Sequence, residues 1–564
     1  MSRGQVAAIG IDAAEWSFVE SLMESGDMPR LAAIRATAQV VPLQNNPNAT
    51  AIAWTQFLTG NSRLPEASFY GYDPERMLPE ALFGLTRDPF YARAQPLRMI
   101  AFDIPQLLPL ERVDGLQVAS WGSHGGWYPR SSRPRGLLRE IDGMFGAHPA
   151  AESNDEVDWW ASDARAERMT AALEAGAAMR GEIVPWLMSR EPGWELLLTV
   201  MSETHSAGEA FYHGVDPDHP LHRHPNAVAA RARLVRVYHA VDKAVGRIAD
   251  ALPDDATLVV FALHGMKANR GDLPGALLVP ELLHRLGLGR RMIKTADADA
   301  WAAAGFPPLA PPAEQTWGGA VADLFDRPRP APSLRDRVRS ITPAPLLNAR
   351  RALGNRQTPG NLKGVLGKPI TPEQDLSESD VSEQRRAIDW HPACEFRGSW
   401  ERMRAFALPT FADSLVRVNL AGRDRGGLVA SDDYDEVCDQ VASEILRCVD
   451  PRTGAPAFSS VDRLLDRAEA FSPDAYADMV VRCIGVLDAI THPTAGLVGP
   501  VPFRRTGGHT PNGFALLRGP GTVAGPAAVR PAADLVATLL ELTGRKAPAG
   551  VDGVTLSGVG ELVG

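Results

Sequence analysis

The chain is poor in cysteine: four (Cys394, Cys438, Cys448 and Cys483) are scattered over 564 residues with no C-x-x-C pair. That excludes a disulfide framework and a zinc ribbon and points to reduced thiols. Nor is there an uninterrupted apolar run of membrane-spanning length. The N-terminus leaves no room for a signal peptide, because Met-Ser-Arg-Gly passes straight into Val6-Ala7-Ala8-Ile9-Gly10-Ile11. The expectation is a soluble protein, cytoplasmic, with no membrane partner. Positive charge is not in excess either. Lys and Arg number 58 against 68 Asp and Glu, a net charge of −10, which argues against nucleic acid as a general partner. No internal repeat is visible, and the sequence carries no signal for an oligomeric state. What remains is an ordinary globular composition, 45% hydrophobic and 22% charged. The length suits one large domain with insertions or two to three domains.

Short apolar runs alternating with helical patterns predict an α/β fold, with a mostly parallel central sheet flanked by helices and an inserted cap region. Strands are expected over 6–11, 97–102, 115–120, 194–200 and 257–261. Helices are expected over 13–24, closed by Gly26, over 163–179 with more helix as far as Pro185, and over 227–252 with a basic face. Residues 121–162, rich in Gly, Pro, Arg and Trp, read as surface loops, and the His-rich run 217–224 as a polar surface turn. From about 290 the texture changes. Residues 307–332 are Pro-rich, and between Asp326 and Lys368 ten Lys or Arg face two acids. This basic stretch reads as a solvated insertion, ahead of a lid that draws in an anion or an oligomer contact. Strands return at 415–420, 478–483 and 515–517, with helices at 434–449 and 532–542. The chain thus divides into 1–290, the first part of the core; 291–400, a Pro/Arg-rich insertion or cap; and 401–564, the second part of the core.

In open α/β sheets ligands sit beyond the carboxyl ends of the strands. Asp12 follows the first strand, where a helix cap is the alternative role. His205 and Glu209 follow the strand at 194–200. They stand four apart, on one face of a helix, so both could reach one metal ion or simply form an exposed ion pair. His264 follows the strand at 257–261 and reads equally as a core histidine with a backbone partner. His509 lies in a loop beside Gly507 and Gly508, which suits a ligand. Thr50 stands where a helix would start, before the run Ile52, Trp54, Phe57, Leu58 that Gly60 stops. Alone it reads as a cap; beside free N–H groups and the positive end of the helix dipole it could be a nucleophile facing a phosphate or sulfate. Together these residues are the parts of a metal-assisted ester hydrolase. Carboxylates and neutral imidazoles bind a divalent ion, and a Thr oxygen can attack in line.

The order of Gly10-Ile11-Asp12, Asn48-Ala49-Thr50-Ala51-Ile52-Ala53-Trp54 through Gly60, His264-Gly265-Met266, Val418-Asn419-Leu420-Ala421-Gly422-Arg423 and Gly508-His509-Thr510-Pro511-Asn512-Gly513 resembles the alkaline phosphatase superfamily, in its type I phosphodiesterase/nucleotide pyrophosphatase branch. Asp534 to Leu540 and Gly550-Val551-Asp552-Gly553 are similar to the end of that fold. The resemblance implies an alkaline-phosphatase-like core and a metal-dependent hydrolase of phosphate mono- or diesters. Thr50 would form the covalent intermediate on a small anionic ester substrate. It assigns Asp12, Thr50 and His264 to one metal site and His205, Glu209 and His509 to another. The cofactor implied is a divalent metal, one or two ions, zinc first, with manganese or iron as alternatives.

Two departures stand out. The branch's Asp-x-x-Gly-His is His205-Ser206-Ala207-Gly208-Glu209 here, carboxylate and imidazole having exchanged places. The branch's Asp before His264 is Leu263, which cannot ligate, so the site on the nucleophile side is weakened unless Glu203 or a substrate oxygen fills in. The alternatives are therefore a sulfatase-like or group-transfer enzyme on the same scaffold with one ion, or a non-catalytic anion-binding relative.

Overall fold

A run such as Val-Ala-Ala-Ile-Gly-Ile offers apolar side chains to both faces, so it needs cover on both. The computed structural model describes residues 4–46, 52–64, 70–83, 88–94, 96–122, 129–151, 157–326, 370–375, 384–410, 412–472, 475–520 and 522–556. In it Val6–Ile11 lies inside a ten-stranded sheet. Its two neighbours, Leu196–Met201 and Thr257–Ala262, run parallel to it, and all three strands are buried along their whole length. Met99–Phe102 and Gly115–Ala119 continue the parallel run, and Ser131–Arg133 closes that edge antiparallel. On the other side Asn512–Arg518 and then Gln39–Gln44 join antiparallel. The protein is α/β, with a mostly parallel central sheet flanked by helices. Alternation along the first strand sends Ala7, Ile9 and Ile11 into one apolar layer with Phe18, Leu187 and Val241. Val6 and Ala8 face the opposite layer, with Trp54, Phe57 and Leu539.

Several local expectations are corrected. Helix Asp163–Arg190, 28 residues in all, does not end at Pro185 but runs through it. The N–H that proline lacks costs one helical hydrogen bond, and packing against helix Ala227–Asp250 outweighs that loss. A Cβ on Gly181 would come 3.1 Å from the Ala244 Cα, so the two helices cross closely. The basic face of Ala227–Asp250 is spent on this neighbour, with Arg233 on Asp163 at 2.9 Å and Arg236 on Glu174 at 2.6 Å. The described residues within 121–162 are not all surface loops. They include Ser131–Arg133 and helix Leu137–Met144, and Trp121, Trp159 and Trp160 are fully buried. The His-rich turn is also partly internal, with His219 buried next to a short 3-10 turn, Pro220–Arg223.

A second sheet, antiparallel, holds Ala405–Leu408, Ser414–Val418, Met479–Cys483 and Phe458–Arg463 in that order. Of the basic stretch from Asp326 to Lys368, only Asp326 falls among the described residues. The four cysteines are free thiols. Among the described residues no helix is long and apolar enough to cross a membrane.

Candidate metal centre

Three neighbouring parallel strands deliver their following residues to one edge of the sheet. Asp12 follows Val6–Ile11, helix Glu203–Phe211 follows Leu196–Met201, and His264 follows Thr257–Ala262. The backbone fixes their relation: the Asp12 N–H donates to the Met201 carbonyl at 3.0 Å, and the Thr204 hydroxyl donates to the Asp12 carbonyl at 2.6 Å.

Asp12 does not cap a helix; the helix that follows starts at Trp16, with Glu15 before it. Its carboxylate is a hub instead. The Trp54 indole N–H donates to Oδ1 at 2.8 Å, His205 Nδ1 lies 2.9 Å from Oδ2, and His264 Nε2 lies 3.4 Å from Oδ1. Gly10 makes room for that tryptophan, because a Cβ there would stand 2.9 Å from the Trp54 ring.

His205 and Glu209 do share one helix face, with Nε2 and Oε1 3.6 Å apart. His509 joins them, its Nε2 3.0 Å from His205 Nε2. His509 is not in a loop. It sits on the short strand Gly507–Thr510, paired antiparallel with Gly265–Ala268 so that it lies opposite Met266. Gly507 allows this strand to lie on the helix, since a Cβ there would come 2.3 Å from the Gly208 carbonyl oxygen. The Thr506 N–H donates to the Glu209 carbonyl at 2.6 Å. One atom each of His205, Glu209 and His509 lies within 4.8 Å of the others. Arg505 holds the Glu209 carboxylate and reaches Asp272 at 3.2 Å.

The donor set fits a divalent ion. Two imidazole nitrogens bound to one tetrahedral ion at about 2.0–2.1 Å would stand about 3.3 Å apart, close to the 3.0 Å between His205 and His509. Asp12 on the far nitrogen of His205 fixes that ring as an outer carboxylate does at metal sites. Burial opposes a charge on His205, but Asp12, through charge and hydrogen bond, and then Glu209 outweigh it and raise the ring to about 10. Burial, and next the charges of His264 and His205, push His509 well below the ordinary histidine value. Burial would raise Asp12, yet His205 and His264 hold it well below the usual carboxylate range.

The other group of sequence candidates is less complete. His264 is buried against Asp12 and contacts its neighbour's Gly265 carbonyl at 3.4 Å. Leu263 packs in the apolar layer with Trp54 and Phe57, and its carbonyl accepts from the Asn45 side chain at 2.6 Å. Glu203 does not replace the missing ligand. It is turned into the core, with Arg180 at 2.7 Å and His148 at 3.0 Å. Thr50 lies outside the described residues; the helix after it is Ala53–Thr59, ending at Gly60 in the left-handed region, φ 62°. Sequence reasoning did not find Trp54, Arg505 or Asp272. Trp54 sits at core spacing and carries no polar signal, and the partners of Asp272 and Arg505 lie hundreds of residues away. Only the Arg504-Arg505 pair ahead of His509 could have drawn notice.

A profile of the family described as type I phosphodiesterase/nucleotide pyrophosphatase matches residues 6–288. No curated protein matches the chain significantly. Among solved structures it is similar to phosphonoacetate hydrolase from Sinorhizobium meliloti 1021 in complex with phosphonoformate, at TM-score 0.41 and 14% identity, over 91% of this chain and 90% of that one. It is similar to murine ectonucleotide pyrophosphatase/phosphodiesterase 5, inactive and in complex with AMP, at TM-score 0.40 and 11% identity over 99% of each chain. The wild-type alkaline phosphatase PafA gives TM-score 0.41 and 10% identity, again over 99% of each. Likenesses this distant say nothing about substrate.

Proposed function

Since the chain belongs to the type I phosphodiesterase/nucleotide pyrophosphatase family, we propose that it is a metal-dependent hydrolase of phosphate mono- or diesters with Thr50 as nucleophile. The observation that carries this reading is the convergence of His205, Glu209 and His509 on one point at the carboxyl edge of the sheet. These three would hold the divalent ion, zinc first among the candidates, with Asp12 orienting His205 and Arg505 holding Glu209. When bound, the ion offsets charge on the phosphoryl group and lowers the pKa of an oxygen it holds.

The chain's own residues do the rest. The Thr50 oxygen forms a bond to phosphorus as the bond from phosphorus to the alcohol oxygen breaks, and the alcohol leaves with a proton. Water then breaks the bond from Thr50 to phosphorus and restores the hydroxyl. His264, beside Asp12, faces the same edge and would share with it any second ion. Free thiols suit a cytoplasmic setting.

A single-ion version, acting on a sulfate ester or transferring a group, is favoured by one observation: Leu263 is packed into the core where a ligand would be needed. Metal analysis of the purified full chain, with parallel assays on phenyl phosphate, a phosphate diester and phenyl sulfate, tests both. About two ions per chain with phosphate turnover fits the hydrolase as proposed, and about one with sulfate turnover fits the alternative. No bound ion and no turnover would leave an anion-binding relative.

A further inference from the structure

Beside His509 lies a cavity of about 280 Å³, between the paired strands Gly265–Ala268 and Gly507–Thr510 and the edge of the second sheet. Its charged lining is Lys267, Arg270, Arg482, Arg505 and Asp413. Two of the cations are committed: Arg505 to Glu209 and Asp272, and Arg482 to Asp413. The other two are not. Lys267 and Arg270 are exposed and make no hydrogen bond or ion pair with any described residue. The Glu15 carboxylate feels the charge of Lys267 without forming an ion pair with it, and accepts from Thr510, at 3.2 Å, and from Ser17. Lys267 lies opposite Gly508 in register, so no cross-strand side chain covers it. Two cations without an ion-pair partner among the described residues therefore face a cavity whose wall includes a candidate metal ligand.

We propose that this cavity receives a second anionic group, carboxylate or phosphate, carried on the organic part of the ester, with Lys267 and Arg270 as its partners. The substrate class is then a small ester bearing two anionic groups. The substrate assignment rests on the hydrolase reading above; the binding assignment does not. A cation pair facing a solvent-connected cavity contributes most through selection among charged ligands, and its effect weakens with salt.

The test is calorimetric binding of three non-hydrolysable probes to the metal-replete full chain: phenylphosphonate, 3-carboxyphenylphosphonate and benzene-1,3-diphosphonate. At least one two-group probe is expected to bind about tenfold or more tightly than phenylphosphonate, and the carboxylate and phosphonate arms show which anion is preferred. In Lys267→Ala/Arg270→Ala that advantage disappears, while phenylphosphonate affinity, metal content and melting temperature stay near wild type. Lys267→Gln/Arg270→Gln, which keeps side-chain length, loses it equally. Equal binding of all three probes by wild type, or an undiminished advantage in both double variants, overturns the proposal. Turnover of phenyl phosphate and 3-carboxyphenyl phosphate separates the two readings. Selective binding without cleavage of either ester leaves the cavity assignment standing and removes the hydrolase, whereas equal cleavage with no binding preference does the reverse.

Discussion

Helix Glu203–Phe211 carries two buried glutamates with opposite fates. Glu203 belongs to a sealed cluster. Arg180, itself fully buried over the rings of Phe102 and Trp121, bridges Glu203 and Asp103, and His148 closes the group. Burial would raise the Glu203 carboxyl, but Arg180 and then His148 lower it to about 2. Every charge there has an opposite charge in contact. Six residues on, Glu209 faces two imidazoles whose nitrogens point at each other. The first is closed by charge pairing, although Arg180 Nη1, Asp103 Oδ1 and Glu203 Oε2 find no hydrogen-bond partner; in the second, one possible ligand atom each of His205, Glu209 and His509 lies within 4.8 Å of the others. On the proposed reading, that difference separates a group that holds the fold from one arranged to hold an ion.

The sharpest way to break the comparison is at the nucleophile. Thr50→Ala is expected to lower turnover of an aryl phosphate about a thousandfold or more, leaving metal content unchanged; hydrolysis at the wild-type rate would reduce Thr50 to a cap. Next come the ligands. His509→Ala should weaken zinc binding about a hundredfold in a competition titration, and Asp12→Asn, which acts through His205, about tenfold.

Glu203→Ala should do the converse. It leaves Arg180 with Asp103 alone and His148 without its carboxylate, and costs on the order of 3–5 kcal/mol of stability in denaturant melts, with metal stoichiometry kept in the folded fraction. Should Glu203→Ala lose the ion and His509→Ala lose only stability, the assignment of the two clusters is reversed.

A further effect concerns the stability of the fold and falls on His391. Burial first, and then the charge of Arg504, lowers His391 to about 4, the opposite of the outcome at His205. Its Nδ1 accepts from the Ala393 N–H at 3.3 Å. On acidification the unfolded chain takes up this proton first, near the ordinary histidine value of about 6.5. The contribution to stability is therefore whole above about pH 6.5 and is lost as the pH falls towards 4. His391→Asn, which keeps an acceptor for Ala393, should spare about 2 kcal/mol of the stability lost between pH 7 and 5, read from urea melts at both pH values.

Much of the edge where these residues meet was legible beforehand. Strands that are buried on both faces leave continuous apolar runs, and the first polar residue after each run marks the sheet's carboxyl edge. That places Asp12 and His264 before any contact is known, and puts His205 three residues beyond Ser202, on the helix that follows the edge. The spacing of His205 and Glu209 carries the shared face. Other features leave no such trace. The strand of His509 is four residues with two glycines, too short and too flexible in composition to show a period of two. Pro185 marks a helix end locally, and a neighbouring helix overrides it. Trp121, Trp159 and Trp160 sit among loop-forming residues, and only long-range packing makes them core. The role of Trp54 depends on Gly10, more than forty positions earlier, being empty of a side chain. Thr50 and nearly all of the basic stretch after Asp326 fall outside the described residues.

Strand Asn512–Arg518 enters the main sheet between Gln39–Gln44 and Thr257–Ala262, although it is made after both. A nascent polypeptide that has emerged only as far as Leu288 lacks this strand, so the facing amides and carbonyls of Gln39–Gln44 and Thr257–Ala262 would be open to another extended segment. His509 arrives with the piece that fills that gap. One late stretch of synthesis therefore both fills the gap in the main sheet and supplies the third of the three side chains proposed to hold an ion.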